Sequence, residues 1–151
     1  MLGERLRDHG VETKGGPSLS EVLDALRERA QTIEELVEKS HYFFRDFDAY
    51  EESAAKKHLR PVAAPILEDL LDRLRLIIDW RPDVIHEAIN NTAKSHGVKL
   101  GKIAQPLRVA VSGTAATPPI DITVALLGRT HTLQRIERAL LYISASTSAN
   151  A

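Results

Sequence analysis

His86-Glu87 begins as the helical zinc-hydrolase pattern does, in which a second histidine four positions after the first completes a two-ligand face beside a glutamate base. Asn90 occupies that position, so the face is not made and His86 reads as an ordinary helix residue. Gly15-Gly16 and Gly113-Thr114 lack the following Gly-Lys-Ser/Thr of a phosphate loop, which leaves them as turns and helix stops. No serine stands in a nucleophile elbow. The acidic pairs Glu34-Glu35 and Glu51-Glu52 fall on predicted exposed helix faces, where carboxylates are solvated. With no cysteine in the chain, thiolate nucleophiles, disulfides and cysteine-bound zinc are excluded, as suits a reducing cytosol. The sequence therefore offers no catalytic residue and no metal site, and the residues left for function are those that bind.

The polar residues best placed to be presented lie beside Pro106. Leu100, Ile103, Leu107, Val109 and Val111 predict a helix ending at Gly113. A proline inside it removes a hydrogen bond and crowds the carbonyl four residues back, so that helix should split or kink. Gln105 and Arg108, three residues apart, put an amide and a guanidinium on one face of it.

Helical spacing dominates the rest of the chain, and no alternating stretch is long enough for a strand, so the expected fold class is all-α. Met1 to His9 look like the last turns of a helix stopped by Gly10, and are expected to be a cut end. Ser18 with Glu21, and Thr32 with Glu35, have capping-box spacing. The first leads into Leu19, Val22, Leu23 and Leu26, ending near Arg29; the second leads into Ile33, Leu36, Val37 and Phe44. Residues 46–50 break the pattern, 51–59 resume it, and Arg60-Pro61 marks a boundary because proline disfavours helical geometry in the residue before it. Val62, Ile66, Leu70 and Leu74, flanked by Leu67, Leu71 and Ile78, form the strongest apolar stripe and are expected in the core. Pro82 suits a first helical position, and Val84, Ile85, Ala88, Ile89 and Thr92 face inward until Gly97. Thr114 to Pro119 is a loop of small residues, Ile120 to Leu127 a short helix stopped by Gly128, and Leu133, Ile136, Leu140 and Ile143 mark the last helix. The expected organisation is multihelical, with two small helical subdomains at 1–60 and 61–146 and a frayed tail at 147–151.

A chain of 151 residues can bury roughly 70% of its unfolded surface, enough for a core without staples. It carries no signal-peptide pattern and no apolar run long enough to span a membrane. Its net charge of −1 conceals a gradient. Residues 1–60 hold 10 Lys+Arg against 13 Asp+Glu and residues 61–93 hold 3 against 6, whereas residues 94–151 hold 7 against 2. A basic third on an acidic protein is the pattern of one surface facing a polyanion, or of a chance cluster of solvated cations.

Lys99-Leu100-Gly101-Lys102-Ile103-Ala104-Gln105-Pro106-Leu107-Arg108-Val109-Ala110-Val111-Ser112-Gly113 resembles the motif that opens the last anticodon-binding subdomain of bacterial glutamyl-tRNA synthetases. Thr117-Pro118-Pro119-Ile120, Leu126-Leu127-Gly128-Arg129 and Arg135-Ile136-Glu137-Arg138-Ala139-Leu140 follow in that family's order and spacing. Upstream, Glu28-Arg29-Ala30-Gln31-Thr32, His41-Tyr42-Phe43-Phe44 and Ala54-Ala55-Lys56-Lys57-His58-Leu59-Arg60-Pro61 are similar as well, so the resemblance covers essentially the whole chain.

The resemblance implies a tRNA-binding module without its own catalytic site. The family's catalytic part, a Rossmann-type class I domain that uses ATP with Mg2+ and L-glutamate, would precede this region, and the chain would be a fragment needing no cofactor. Its partners would be the tRNA-Glu anticodon stem-loop and that catalytic domain, in a cytoplasmic, monomeric enzyme. Positions matching Gln105, Arg108, Thr117, Pro118 and Ile120 would meet the first two anticodon bases, with Thr117 and Pro118 offering backbone carbonyls and a rigid wall. Ile120 stands where many relatives carry a bulkier, unbranched apolar residue. Arg29 matches the arginine that reads the third base, where its donors suit cytosine and oppose guanine, implying an enzyme that discriminates tRNA-Glu from tRNA-Gln. The alternative is a helical protein–protein adaptor with a basic face, against which stands the pairing of Gln105-Pro106-Leu107-Arg108 with Thr117-Pro118.

Overall fold

Apolar residues at intervals of three and four bury one face of most helices, and seven α-helices follow in the computed structural model, which describes residues 19–26, 41–44, 46–47 and 49–149. They are α1 (Leu19–Leu26), α2 (Glu52–His58), α3 (Ala64–Arg75), α4 (Pro82–His96), α5 (Gly101–Ser112), α6 (Ile120–Leu127) and α7 (Arg129–Ala149). Residues 41–44 are also helical, and no strand occurs among the described residues. The capping residues Ser18 and Thr32 lie outside the described residues.

Helix α3 packs on α4 and α7, while α7 reaches back to α5 and α6, so these helices enclose the core. Leu67, Leu70, Leu74, Ile85, Ile89, Ile103, Leu107 and Ile136 are fully buried there. Burying each of these stabilises the fold by roughly 1.5–3 kcal/mol relative to exposure. Val22 brings α1 against this core, and α2 lies along α5.

Two members of the expected stripe are not core: Val62 is 73% exposed and Ile78 is 92% exposed. Pro61–Ala63 form a 3-10 turn, whose three-residue period shifts the register so that Ala63 is buried in place of Val62. Because α3 stops at Arg75, Ile78 lies beyond it, and Ile77 turns inward instead. Pro106 does not split α5, which is one helix from Gly101 to Ser112. Lys102, whose carbonyl the proline ring leaves without a helical donor, is exposed, so that carbonyl can be solvated. The last helix runs to Ala149, and Ser144 to Ala149 contain neither glycine nor proline to stop it.

Connections are fixed by specific bonds. Gly97, in the left-handed conformation, ends α4 with Val98 N donating to Ala93 O and Gly97 N to Lys94 O, the paired bonds of a Schellman cap. Trp80 anchors the α3–α4 connector by donating Nε1–H to the carbonyl of Val124 in α6, at 3.1 Å.

The segment from Tyr42 to Glu51 is held by a buried cation. Arg135, 5% exposed on α7, donates from Nη1 to the carbonyls of Tyr42 (2.9 Å) and Val111 (2.7 Å). Arg138 makes a two-point bond to Asp46, at 2.7 and 3.0 Å, and the Phe47 ring lies under both guanidiniums. Glu51 N then donates to Gly113 O at 2.7 Å.

Gly113 has φ +82°, and a Cβ there would meet the Phe47 ring at 2.9 Å and Ala49 O at 3.3 Å. Gly113→Ala should therefore cost about 1–3 kcal/mol, from strain at positive φ plus displacement of Phe47; urea unfolding showing less than half of that would contradict the contact. Asp46 yields a pH prediction. Burial raises its pKa, but the hydrogen bond and charge of Arg138, the charge of Arg135 and the Phe47 N–H together outweigh this and lower it. A lowered folded pKa gives stability that is present above the unfolded value of about 3.9 and lost as pH falls through the folded one. Because its side chain is 58% exposed, the contribution should stay below about 1 kcal/mol. The stability gap between wild type and Asp46→Asn, measured by urea unfolding, should be open at pH 6 and close as pH falls below about 4.

Candidate nucleic-acid interface

Arg108 sits on α5 one helical turn after Gln105, and the loop from Gly113 to Pro119 folds back toward it. Its Nε donates to Thr117 Oγ1 at 3.0 Å, and that hydroxyl donates to the carbonyl of Pro118 at 2.7 Å. Thr123 Oγ1 lies 3.1 Å from the carbonyls of both Pro118 and Pro119, tying the loop to the first turn of α6. At the other end Ser112 Oγ is 2.6 Å from Arg108 O and 2.9 Å from Thr114 O, and Thr114 N donates to it. Ser112, Thr117 and Thr123 are buried, so the loop turns its hydroxyls inward and is held by them at both ends.

The six residues singled out from the sequence have different fates. Arg29 lies outside the described residues. Gln105 and Arg108 are both half-buried on α5, and Arg108 is joined to Thr117 and, through it, to Pro118. Thr117, Pro118 and Ile120 are buried, with Ile120 packed into the core at the start of α6. The Pro118 carbonyl already faces two hydroxyl donors, so what this loop presents to a ligand is its shape more than a free acceptor. Gln105 differs: its Oε1 is fully covered and meets no hydrogen-bond donor among the described residues.

Gln105 also borders a groove of about 500 Å³ between the end of α2 and the start of α5. Lys57, His58 and Arg60 line one side, and Lys99 and Lys102 the other. Chain order hides this grouping, although the run Lys56-Lys57-His58 and the three-residue spacing of Lys99 and Lys102 were visible signals. Burial lowers the pKa of His58, and the neighbouring Lys57 and Lys102 lower it further.

The basic third of the sequence does not form one surface. Arg135 is buried, Arg138 is paired with Asp46, and Arg129 lies 5.6 Å over the ring of Trp80. Arg108 is bonded to Thr117, Lys94 is exposed on α4, and Lys99 and Lys102 line the groove together with Lys57 and Arg60 from the acidic part of the chain. His86 is exposed on α4, and among the described residues no three His, Cys, Asp or Glu side chains are grouped to hold a metal ion. No described helix is long and apolar enough to cross a membrane.

Residues 2–140 match the family described as the anticodon binding domain. The fold is similar to that in the crystal structure of a glutamate tRNA ligase from Elizabethkingia meningosepticum in complex with its amino acid, with a TM-score of 0.82 and 23% identity over 94% of this chain and 28% of that one. It is also similar to glutamate-tRNA synthetase from Elizabethkingia anophelis, with a TM-score of 0.75 and 24% identity over 93% of this chain and 27% of that one. The chain thus spans about a quarter of the length of either structure.

The Arg108–Thr117–Pro118 chain can be tested directly. Thr117→Val removes a buried acceptor from a charged donor and should destabilise the protein by about 1–3 kcal/mol. In the same variant the Arg108 Nε proton, followed by NMR, should exchange with solvent faster than in wild type; an unchanged rate would show that the bond does not restrain the guanidinium.

Proposed function

The chain belongs to the anticodon binding domain family, and on that premise we propose that it binds the anticodon stem-loop of tRNA-Glu. Gln105 and Arg108, against the wall shaped by Thr117, Pro118 and Ile120, meet the first two anticodon bases, and Arg29 meets the third. The observation that carries this reading is the bond from Arg108 to Thr117. It ties the α5 cation to the loop that must form the rest of the surface. A guanidinium already held in place loses less conformational freedom on binding. The chemistry suits a single-stranded loop, whose splayed bases are held on apolar or planar surfaces while amide and guanidinium groups satisfy their edges. At the third position, cytosine offers O2 and N3 acceptors to an arginine, whereas guanine presents N1 and N2 donors.

In a complete enzyme this module selects tRNA-Glu for ATP-dependent attachment of L-glutamate and performs none of the chemistry. ATP, Mg2+ and L-glutamate belong to a catalytic domain in this reading. We further propose that the enzyme is monomeric and cytoplasmic.

A titration with the tRNA-Glu anticodon stem-loop at several salt concentrations tests the reading. Binding should be present at low salt and weaken as salt rises, because phosphate contacts release counterions. Changing the third anticodon base from cytosine to guanine should weaken binding, and Arg29→Gln should reduce that discrimination by about 1–3 kcal/mol, the scale of a good bidentate base contact. Absence of binding at low salt overturns the proposal, while undiminished discrimination in Arg29→Gln removes Arg29 from it.

A further inference from the structure

The groove beside Gln105 gathers Lys57, Arg60, Lys99 and Lys102, all exposed, and no carboxylate lines it. Among the described residues none of the four is paired with an acid. Such a grouping repels itself until an anion enters, and its field favours a polyanion over a neutral ligand. The floor is apolar: Val62, 73% exposed, lies near Ile66 and Pro106. Gln105 adds a covered Oε1 without a donor. Cations beside an exposed apolar side chain, Val62, suit a nucleotide of an unpaired strand, with its phosphate on the cations and its base against the apolar surface.

We propose that this groove is a second RNA contact, holding one unstacked nucleotide with its phosphate among Lys57, Arg60, Lys99 and Lys102 and its base against the exposed Val62. The proposal rests on the tRNA reading above and extends it to cations that no part of that reading uses. Continuity supports it. Gln105 lines the groove and lies one helical turn from Arg108, so a strand engaged at Arg108 passes directly into it. An RNA strand also satisfies cations and apolar floor together, and it brings its phosphates at regular spacing.

The test uses the whole chain, labelled with 15N, and two probes: the tRNA-Glu anticodon stem-loop and a short unstructured oligoribonucleotide. Amide shifts of Val62, Ala63, Gly101 and Lys102 should move with either probe, alongside those around Arg108 with the stem-loop. Lys57→Ala combined with Lys102→Ala should weaken low-salt binding about tenfold and lower the slope of log affinity against log salt by about 0.7 for each phosphate contact removed. Lys94→Ala, an exposed cation on α4 outside the groove, should leave the slope unchanged. Thermal melting of each variant should match wild type, since these side chains are exposed. Shifts confined to Arg108 and the 113–119 loop, with an unaltered slope in the double variant, overturn the groove and leave the tRNA reading standing. An equal slope change in Lys94→Ala also overturns it, as diffuse attraction. Failure of wild type to bind either probe overturns both readings. Groove shifts with the oligoribonucleotide alone uphold the groove and count against the stem-loop assignment. If a polyglutamate peptide moves the same groove signals at lower concentration than RNA, the groove is a site for an acidic peptide and the nucleotide proposal is wrong.

Discussion

The buried guanidinium of Arg135 is the contact on which the arrangement of α5 and the 113–119 loop depends. It joins three parts of the chain that are remote in sequence: Tyr42, the last turn of α5 at Val111, and α7 itself. Burial works against this cation and lowers its pKa, while Asp46, 3.5 Å away, pulls the other way. Guanidinium nevertheless stays charged, because its intrinsic pKa is so high. A buried charge is tolerated only with polar partners, and here two backbone carbonyls take Nη1 while Asp46 lies 3.5 Å from Nε. The geometry is thereby specific in a way that an apolar side chain at this position could not make it.

From that contact the position of the loop follows. Phe47, under Arg135 and Arg138, fills the space that any side chain at residue 113 would need, so α5 ends there in a left-handed glycine. Glu51 bonds to the carbonyl of the same glycine, fixing the point from which the 113–119 loop departs. The loop then ties itself to Arg108 through Thr117. A residue before position 60 and one on the last helix therefore jointly decide where a cation on α5 is presented.

Electrostatics divides along the same lines. Counting charges along the chain suggests that its basic end forms a surface, yet two arginines of that end act as internal fasteners. The cations that face solvent together come from both sides of Pro61, brought side by side by the packing of α2 along α5. Net charge and its gradient are properties of composition, whereas a field at a surface depends on which charges are paired or buried. The gradient along the chain therefore does not locate a basic surface.

Helix stops were legible because they are local. Gly97, Gly113 and Gly128 all have positive φ, and a glycine after an apolar repeat states that conformation in one residue. Pro82 at the start of α4 and the break at Arg60-Pro61 are equally local, as is the all-α character of the described residues. Val62 and Ile78 were misread because a stripe extrapolated past a helix end assumes a period that the 3-10 turn and the end of α3 do not keep. The motif around Gln105 and Arg108 lies on α5, but only folding could show that Arg108 is joined to Thr117 while Ile120 is buried, or that Lys57 and Lys102 share a groove. The sequence by itself determined the all-α character of the described residues, the helix ends marked by Gly97, Gly113 and Gly128, and the family, since these rest on bonds and side-chain spacings within a few residues. Which charges are buried, which are paired and which face solvent together was decided by tertiary structure alone, because partners such as Arg135 and Tyr42 lie 93 residues apart and no local pattern records them.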